Sequence, residues 1–66
     1  MYVVLAHNHP SNILLPSDSD VRTTINVAEV LTRLDVRLLD HLIVGSDDYT
    51  SMARSQEYSY IFHQKK

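Results

Sequence analysis

The chain has 66 residues, 44% of them hydrophobic, with one glycine, two prolines and no cysteine. That length allows a single domain and excludes a multi-domain enzyme or a barrel of ~250 residues. The formal charge of -2, from six Lys and Arg against eight Asp and Glu, offers no broad basic surface, so general nucleic-acid binding is not expected.

The first element is Tyr2-Val3-Val4-Leu5-Ala6, an apolar, β-rich run ending at His7. Continuous apolarity over so few residues predicts a strand buried on both faces. A domain rarely starts inside such a strand, so the expectation is a truncated, partial domain. The run is too short for a signal-peptide core, and nothing approaches the ~20 apolar residues of a membrane helix. A cytoplasmic location without membrane contact is the default expectation.

Asn8, Pro10, Ser11, Asn12 and Pro16 then mark a loop, with an unusual apolar triplet, Ile13-Leu14-Leu15, inside it. Ser17 has the character of a helix N-cap, and Asp20 three residues on approximates a capping box. Asp18 and Asp20 also suit the positive end of a helix dipole. The helix is predicted from residue 18 to about residue 34, with Val21, Ile25, Ala28, Leu31 and Leu34 at helical spacing and Arg22, Glu29 and Arg33 facing solvent. Asp35 is the expected stop.

Residues 37–44 read as a second buried strand, and Gly45-Ser46-Asp47-Asp48 as a turn. Tyr49-Thr50-Ser51-Met52 is the returning strand of a hairpin. Beyond it the pattern weakens, and a short helix over residues 53–58 with a frayed tail is expected. The order β–α–β–β predicts an α/β (α+β) domain, a mixed sheet packed on one main helix, with the first crossover right-handed.

A chain this short buries only ~60% of its unfolded surface, and domains of this size commonly need a disulfide, a metal or a partner. Without cysteine, the staple left is a metal on nitrogen and oxygen ligands, or a second chain.

Chemistry concentrates in His7-Asn8-His9-Pro10 and Pro16-Ser17-Asp18-Ser19-Asp20. On a strand, His7 and His9 project to one face with Cα atoms ~6.6 Å apart. Two imidazoles so placed can converge on one ion through Zn–N bonds of ~2.0–2.1 Å, and Asp20 could swing a carboxylate toward it. Three ligands and an open fourth position form the pattern of a catalytic zinc. Capping accounts for Ser17 and Asp20 equally well, and an isolated His-x-His is more often not a metal site.

The string His7-x-His9-Pro10, with Ser17-x-x-Asp20 after Pro16, resembles the JAMM signature of the JAB/MPN metalloproteases. His7-Asn8-His9-Pro10-Ser11 is similar specifically to the RadC branch, bacterial proteins named for DNA repair. Val36-Arg37-Leu38-Leu39-Asp40-His41-Leu42-Ile43-Val44-Gly45 resembles that branch's strand after the helix, and Tyr49-x-Ser51 its next strand. The resemblance covers about residues 3–52, leaving 53–66 as a tail.

It implies one Zn²⁺ per chain on His7, His9 and Asp20, with Ser17 positioning water or the oxyanion during attack on a peptide or isopeptide carbonyl. It also implies a general-base glutamate on an earlier strand, and no glutamate precedes His7 here. Glu29 lies nine residues past Asp20 and about two helical turns away, and Glu57 falls in the tail, so neither replaces it. The expectation is a metal-binding half-site of metallopeptidase type, inactive by itself. DNA binding rests on the family name alone.

Two departures stand out. Asn12 replaces the glycine usual in the RadC branch, and Ile13-Leu14-Leu15 replaces polar residues; the triplet is expected to pack on the core or to contact a partner. Asp40 and His41 must point to opposite faces of their strand, either as partner to a metal ligand or as a self-satisfied polar pair. His63 is expected in solvent. Tyr49, Tyr58 and Tyr60 are expected to pack, because Lys65 and Lys66 give little basic surface for stacked bases.

The competing expectation is a non-catalytic interaction module, a homo-oligomer through an exposed strand edge. A nuclease of the HNH type is not indicated, since its three letters are spread over a longer motif. A TIM-barrel amidohydrolase also carries His-x-His, and length excludes it.

Overall fold

A computed structural model describes residues 1–10 and 13–63. In chain order they form strand β1 (Tyr2–Asn8), helix α1 (Asp18–Arg33), strand β2 (Arg37–Val44), strand β3 (Tyr49–Ser51) and two 3₁₀ turns, Met52–Arg54 and Ser59–Phe62. The sheet order is β1-β2-β3, with β1 parallel to β2 and β2 antiparallel to β3. This is the mixed sheet and single helix read from the β–α–β–β pattern.

Both ends of α1 are closed by local chemistry. Ser17 is the N-cap, and the reciprocal Ser17–Asp20 capping box is complete. At the other end Asp35 takes a left-handed backbone, φ 61°. Its N–H reaches the Thr32 carbonyl while the Val36 N–H reaches the Leu31 carbonyl, the paired bonds of a Schellman stop. Asp35 therefore ends the helix as expected. Leu34, expected on the core stripe, is the exposed C-cap instead. The helix has already turned away at that point.

Strand β1 corrects a second expectation. It is an edge strand with alternating burial, and Tyr2 and Val4 on its outer side are 69% and 51% exposed. Its uniform apolarity does not correspond to burial on both faces among the described residues. The inner side carries Val3, Leu5 and His7, and His9, just past the strand's end, continues that side; all four are half-buried.

Strand β2 lies at the centre, and its register against β1 slips once. Val3 pairs with Leu38 but Val4 pairs with Asp40, so Leu39 is skipped. Side chains alternate along a regular strand, and residues three apart face opposite ways. The bulge resets that alternation. Leu38, His41 and Ile43 are consequently all buried, at 4%, 4% and 0% exposure.

The core contains Ala28, Leu38, Ile43, Met52, Ile61 and Phe62, with Val3, Leu5, Leu14, Val21, Ile25 and Leu31 packed around it. Ile61 and Phe62 belong to the segment expected to fray. In place of a short helix over 53–58, two 3₁₀ turns bring both side chains onto the core. Turns of three and four residues show no amphipathic period, which is why the pattern was silent there.

His63 is exposed as expected. Tyr58 packs on the core, whereas Tyr49 and Tyr60 stand in solvent. The loop triplet divides similarly: Leu14 packs inward, while Ile13 and Leu15 are exposed. Ser11, Asn12, Lys65 and Lys66 lie outside the described residues. No helix among the described residues is long and apolar enough to cross a membrane.

Candidate metal centre

The end of β1 and the first turn of α1 meet at one corner, and His7, His9 and Asp20 converge there. His9 Nε2 lies 2.9 Å from His7 Nε2 and 3.1 Å from Asp20 Oδ2, and His7 Nε2 lies 3.2 Å from Asp20 Oδ1. This is the one such ligand group among the described residues. Strand alternation places the two imidazoles side by side, and the capping box aims the carboxylate.

His9 Nδ1 lies 2.8 Å from the Ile13 carbonyl, which can only accept, so Nδ1 carries the hydrogen. In neutral His9 the Nε2 lone pair therefore points at His7 and at a carboxylate that is itself an acceptor. A hydrogen on His7 Nε2, or a cation in its place, is required between these atoms.

A metal ion fits that requirement. Tetrahedral zinc with bonds of ~2.0–2.1 Å separates its ligand atoms by about 3.3 Å; the two Nε2 atoms lie 2.9 Å apart, and each imidazole has a different oxygen of the Asp20 carboxylate at 3.1–3.2 Å. A small outward adjustment admits the ion. The side chains are shielded without being sealed: His7 is 38% exposed, His9 18% and Asp20 13%.

Asp20 is kept ionised. Burial pushes its pKa up, but the hydrogen bond from the Ser17 backbone, the Ser17 side chain and the neighbouring His7 and His9 together outweigh this and hold it below the usual carboxylate value. The Ser17 N–H donates to Asp20 Oδ2 at 2.8 Å, leaving the carboxylate's other oxygen toward His7. Ser17 Oγ accepts from the Asp20 N–H at 3.1 Å. Its hydroxyl hydrogen is not used by that bond.

Two residues behind the corner were not both legible. His41, on β2, reaches His7 Nδ1 through Nε2 at 3.1 Å and Thr24 Oγ1 through Nδ1 at 2.6 Å. Burial pushes the His41 pKa down, and nearby His7 acts in the same direction. Of the two readings for Asp40 and His41, each describes one residue. His41 touches a ligand histidine, while Asp40 accepts from Ser51 Oγ and from the backbone N–H groups of His41 and Ala53. Thr24 was missed altogether. Its signal was a polar side chain four residues after Asp20, lying among the apolar positions of α1.

Glu29 and Glu57 are exposed and stand outside the ligand group. A depression of about 230 Å³ adjoins His9 and is lined by Asn8, Pro10, Val44, Gly45 and Ser46.

Comparison with known proteins places the chain in a family. The model of the RadC-like JAB domain family matches residues 1–58. A UPF0758 protein of Paraburkholderia xenovorans is 47% identical over 53 residues, 80% of this chain and 21% of its own length. One from Idiomarina loihiensis is 53% identical over 51 residues, covering 77% of this chain and 23% of the relative. One from Pseudomonas fluorescens is 51% identical over 59 residues, 89% and 25% respectively. The chain thus spans about a quarter or less of the length of these relatives. No solved structure matches it.

Proposed function

Since the chain belongs to the RadC-like JAB domain family, we propose that its His7–His9–Asp20 corner binds one Zn²⁺ and is the metal half of a metallopeptidase-type site. The supporting observation is the 2.8 Å contact between His9 Nδ1 and the Ile13 carbonyl, which sets the His9 tautomer. With Nδ1 committed to the Ile13 carbonyl, His9 presents a lone pair to two further ligand atoms at bonding separation for a shared cation.

When bound, zinc supplies Lewis-acid polarisation of a carbonyl and lowers the pKa of water. The residues divide the remaining work. His7 and His9 fix the ion from β1, and Asp20 fixes it from α1 and contributes the anionic ligand. Ser17, free to donate its hydroxyl hydrogen, positions water or the carbonyl oxygen of a peptide or isopeptide. Neither glutamate of the chain is placed as a general base, a role worth ~10²–10⁴-fold in rate. These 66 residues therefore bind zinc without appreciable turnover.

Titration with zinc against a competing chelator tests the reading. One equivalent should bind, and His7→Ala, His9→Ala and Asp20→Ala should each abolish binding. Absence of bound zinc in the folded wild-type chain, with His7→Ala leaving stability unchanged, sinks it. Zinc-dependent isopeptide turnover by this chain would refute the inactivity.

A second reading, association of two copies through β1, is favoured by one observation. Among the described residues that strand is hydrogen-bonded to β2 on one side only, and Tyr2 and Val4 are exposed on it. Unpaired apolar edges pair with further strands. Sedimentation equilibrium should then show a dimer that Val4→Lys dissociates; a monomer at all concentrations removes this reading.

A further inference from the structure

We propose that Thr24 and His41 are positioning residues that fix the tautomer of His7, so that its Nε2 lone pair faces the metal corner. The inference rests on the zinc-site reading above and extends it to two residues that offer the ion no ligand atom.

The chain of bonds can be followed from the Asp20 end, where the acceptor is fixed. The Asp20 backbone carbonyl lies 2.7 Å from Thr24 Oγ1, and a carbonyl can only accept. We assign the single hydroxyl hydrogen of Thr24 to that carbonyl rather than to His41 Nδ1; the Met52 sulfur, at 3.8 Å, is a distant alternative. Thr24 Oγ1 must then accept from His41, whose Nδ1 lies at 2.6 Å. Neutral His41 with its hydrogen on Nδ1 has a lone pair on Nε2. That lone pair accepts from His7 Nδ1 at 3.1 Å. Neutral His7 with its hydrogen on Nδ1 has its lone pair on Nε2, the atom 2.9 Å from His9 and 3.2 Å from Asp20.

Every donor finds an acceptor in this order. Reversing the chain gives His7 a hydrogen on Nε2, directed into the corner where the ion is held. Thr24 and His41 are 0% and 4% exposed, so solvent is poorly placed to replace a missing partner. The chain also starts on the main chain of Asp20 and ends on His7, joining two of the three ligands through the core. The bulge at Leu39 makes it possible, because it carries His41 onto the buried face beside Leu38.

Ring ¹⁵N NMR and zinc affinity together test the proposal on the full 66-residue chain. In the zinc-free protein at neutral pH, His41 should show its hydrogen on Nδ1; a hydrogen on Nε2 overturns the proposal whether or not zinc binds. If that tautomer is found but wild type binds no zinc, the metal reading alone fails. Outer partners of metal ligands typically contribute ~10–100-fold in affinity, so Thr24→Val and His41→Phe should weaken zinc binding by about that factor. His41→Gln, which can accept and donate along the same line, should recover most of it. Thr23→Val on the exposed side of α1 should leave affinity unchanged. Should His41→Phe fail to fold, Thr24→Val, nearly isosteric, carries the test. Affinity within twofold of wild type in folded Thr24→Val overturns the positioning role.

Discussion

Asp20 closes the helix capping box and, on the proposed reading, also ligates the metal, so Asp20→Ala should show two separable losses. In the presence of a chelator, the variant loses the charge-assisted bond from the Ser17 N–H and the favourable placement of an anion in the first turn of α1. Capping substitutions cost ~0.5–2 kcal/mol and a first-turn anion contributes ~0.3–1 kcal/mol. Relief of burying a carboxyl that is 13% exposed returns part of this, leaving a net loss of about 1.5 kcal/mol. For a domain of this size each kcal/mol moves Tm by ~4–8 °C, so thermal unfolding followed by circular dichroism should report a fall of about 6–12 °C.

The pH dependence has a definite sign. The folded pKa of Asp20 is held below its ordinary value of 3.8. Its contribution is therefore complete above the unfolded value and disappears as pH falls through the folded one. Wild type and variant should converge in acid. Zinc at a hundredfold above Kd then adds ~2.7 kcal/mol to wild type only, widening the gap to about 4 kcal/mol in all. Equal stabilisation of both proteins by zinc would refute the shared role, as would a chelated variant as stable as wild type.

Three further outcomes follow from named contacts. Burial lowers the His41 pKa, so the unfolded chain takes up the proton first; zinc-free stability should decline as pH drops below about 6.5, and denaturant midpoints from pH 8 to 5 check this. Phe62→Ala, in the terminal 3₁₀ turn at 6% exposure, should cost ~3–5 kcal/mol and leave little folded protein by circular dichroism. Ser17→Ala should lower zinc-free stability by ~1 kcal/mol while zinc stoichiometry, measured by titration, stays at one.

Much of the metal corner was legible because strand alternation and helix capping are local rules. His7 and His9 had to share a face, and Ser17 with Asp20 had to begin the helix. The β2 boundaries and the hairpin followed from apolar runs and turn residues in the same way. The edge position of β1 was not legible, because Val3, Val4 and Leu5 show apolarity without showing what covers each side. The bulge at Leu39 was hidden as well: nothing in two adjacent leucines announces that one will be skipped. That single slip decides which of Asp40 and His41 turns inward, and hence the link from His41 to His7. Thr24 was concealed by its ordinary role in the helix, and Ile61 and Phe62 by turns too short to display a period.

The most direct measurement is zinc per chain, by equilibrium dialysis and mass spectrometry of the metal, on the wild-type protein and on His9→Ala. The account predicts one zinc per wild-type chain and none in the variant. A folded wild-type chain without zinc, or a variant that still holds it, would contradict the assignment of His7, His9 and Asp20 as one metal site.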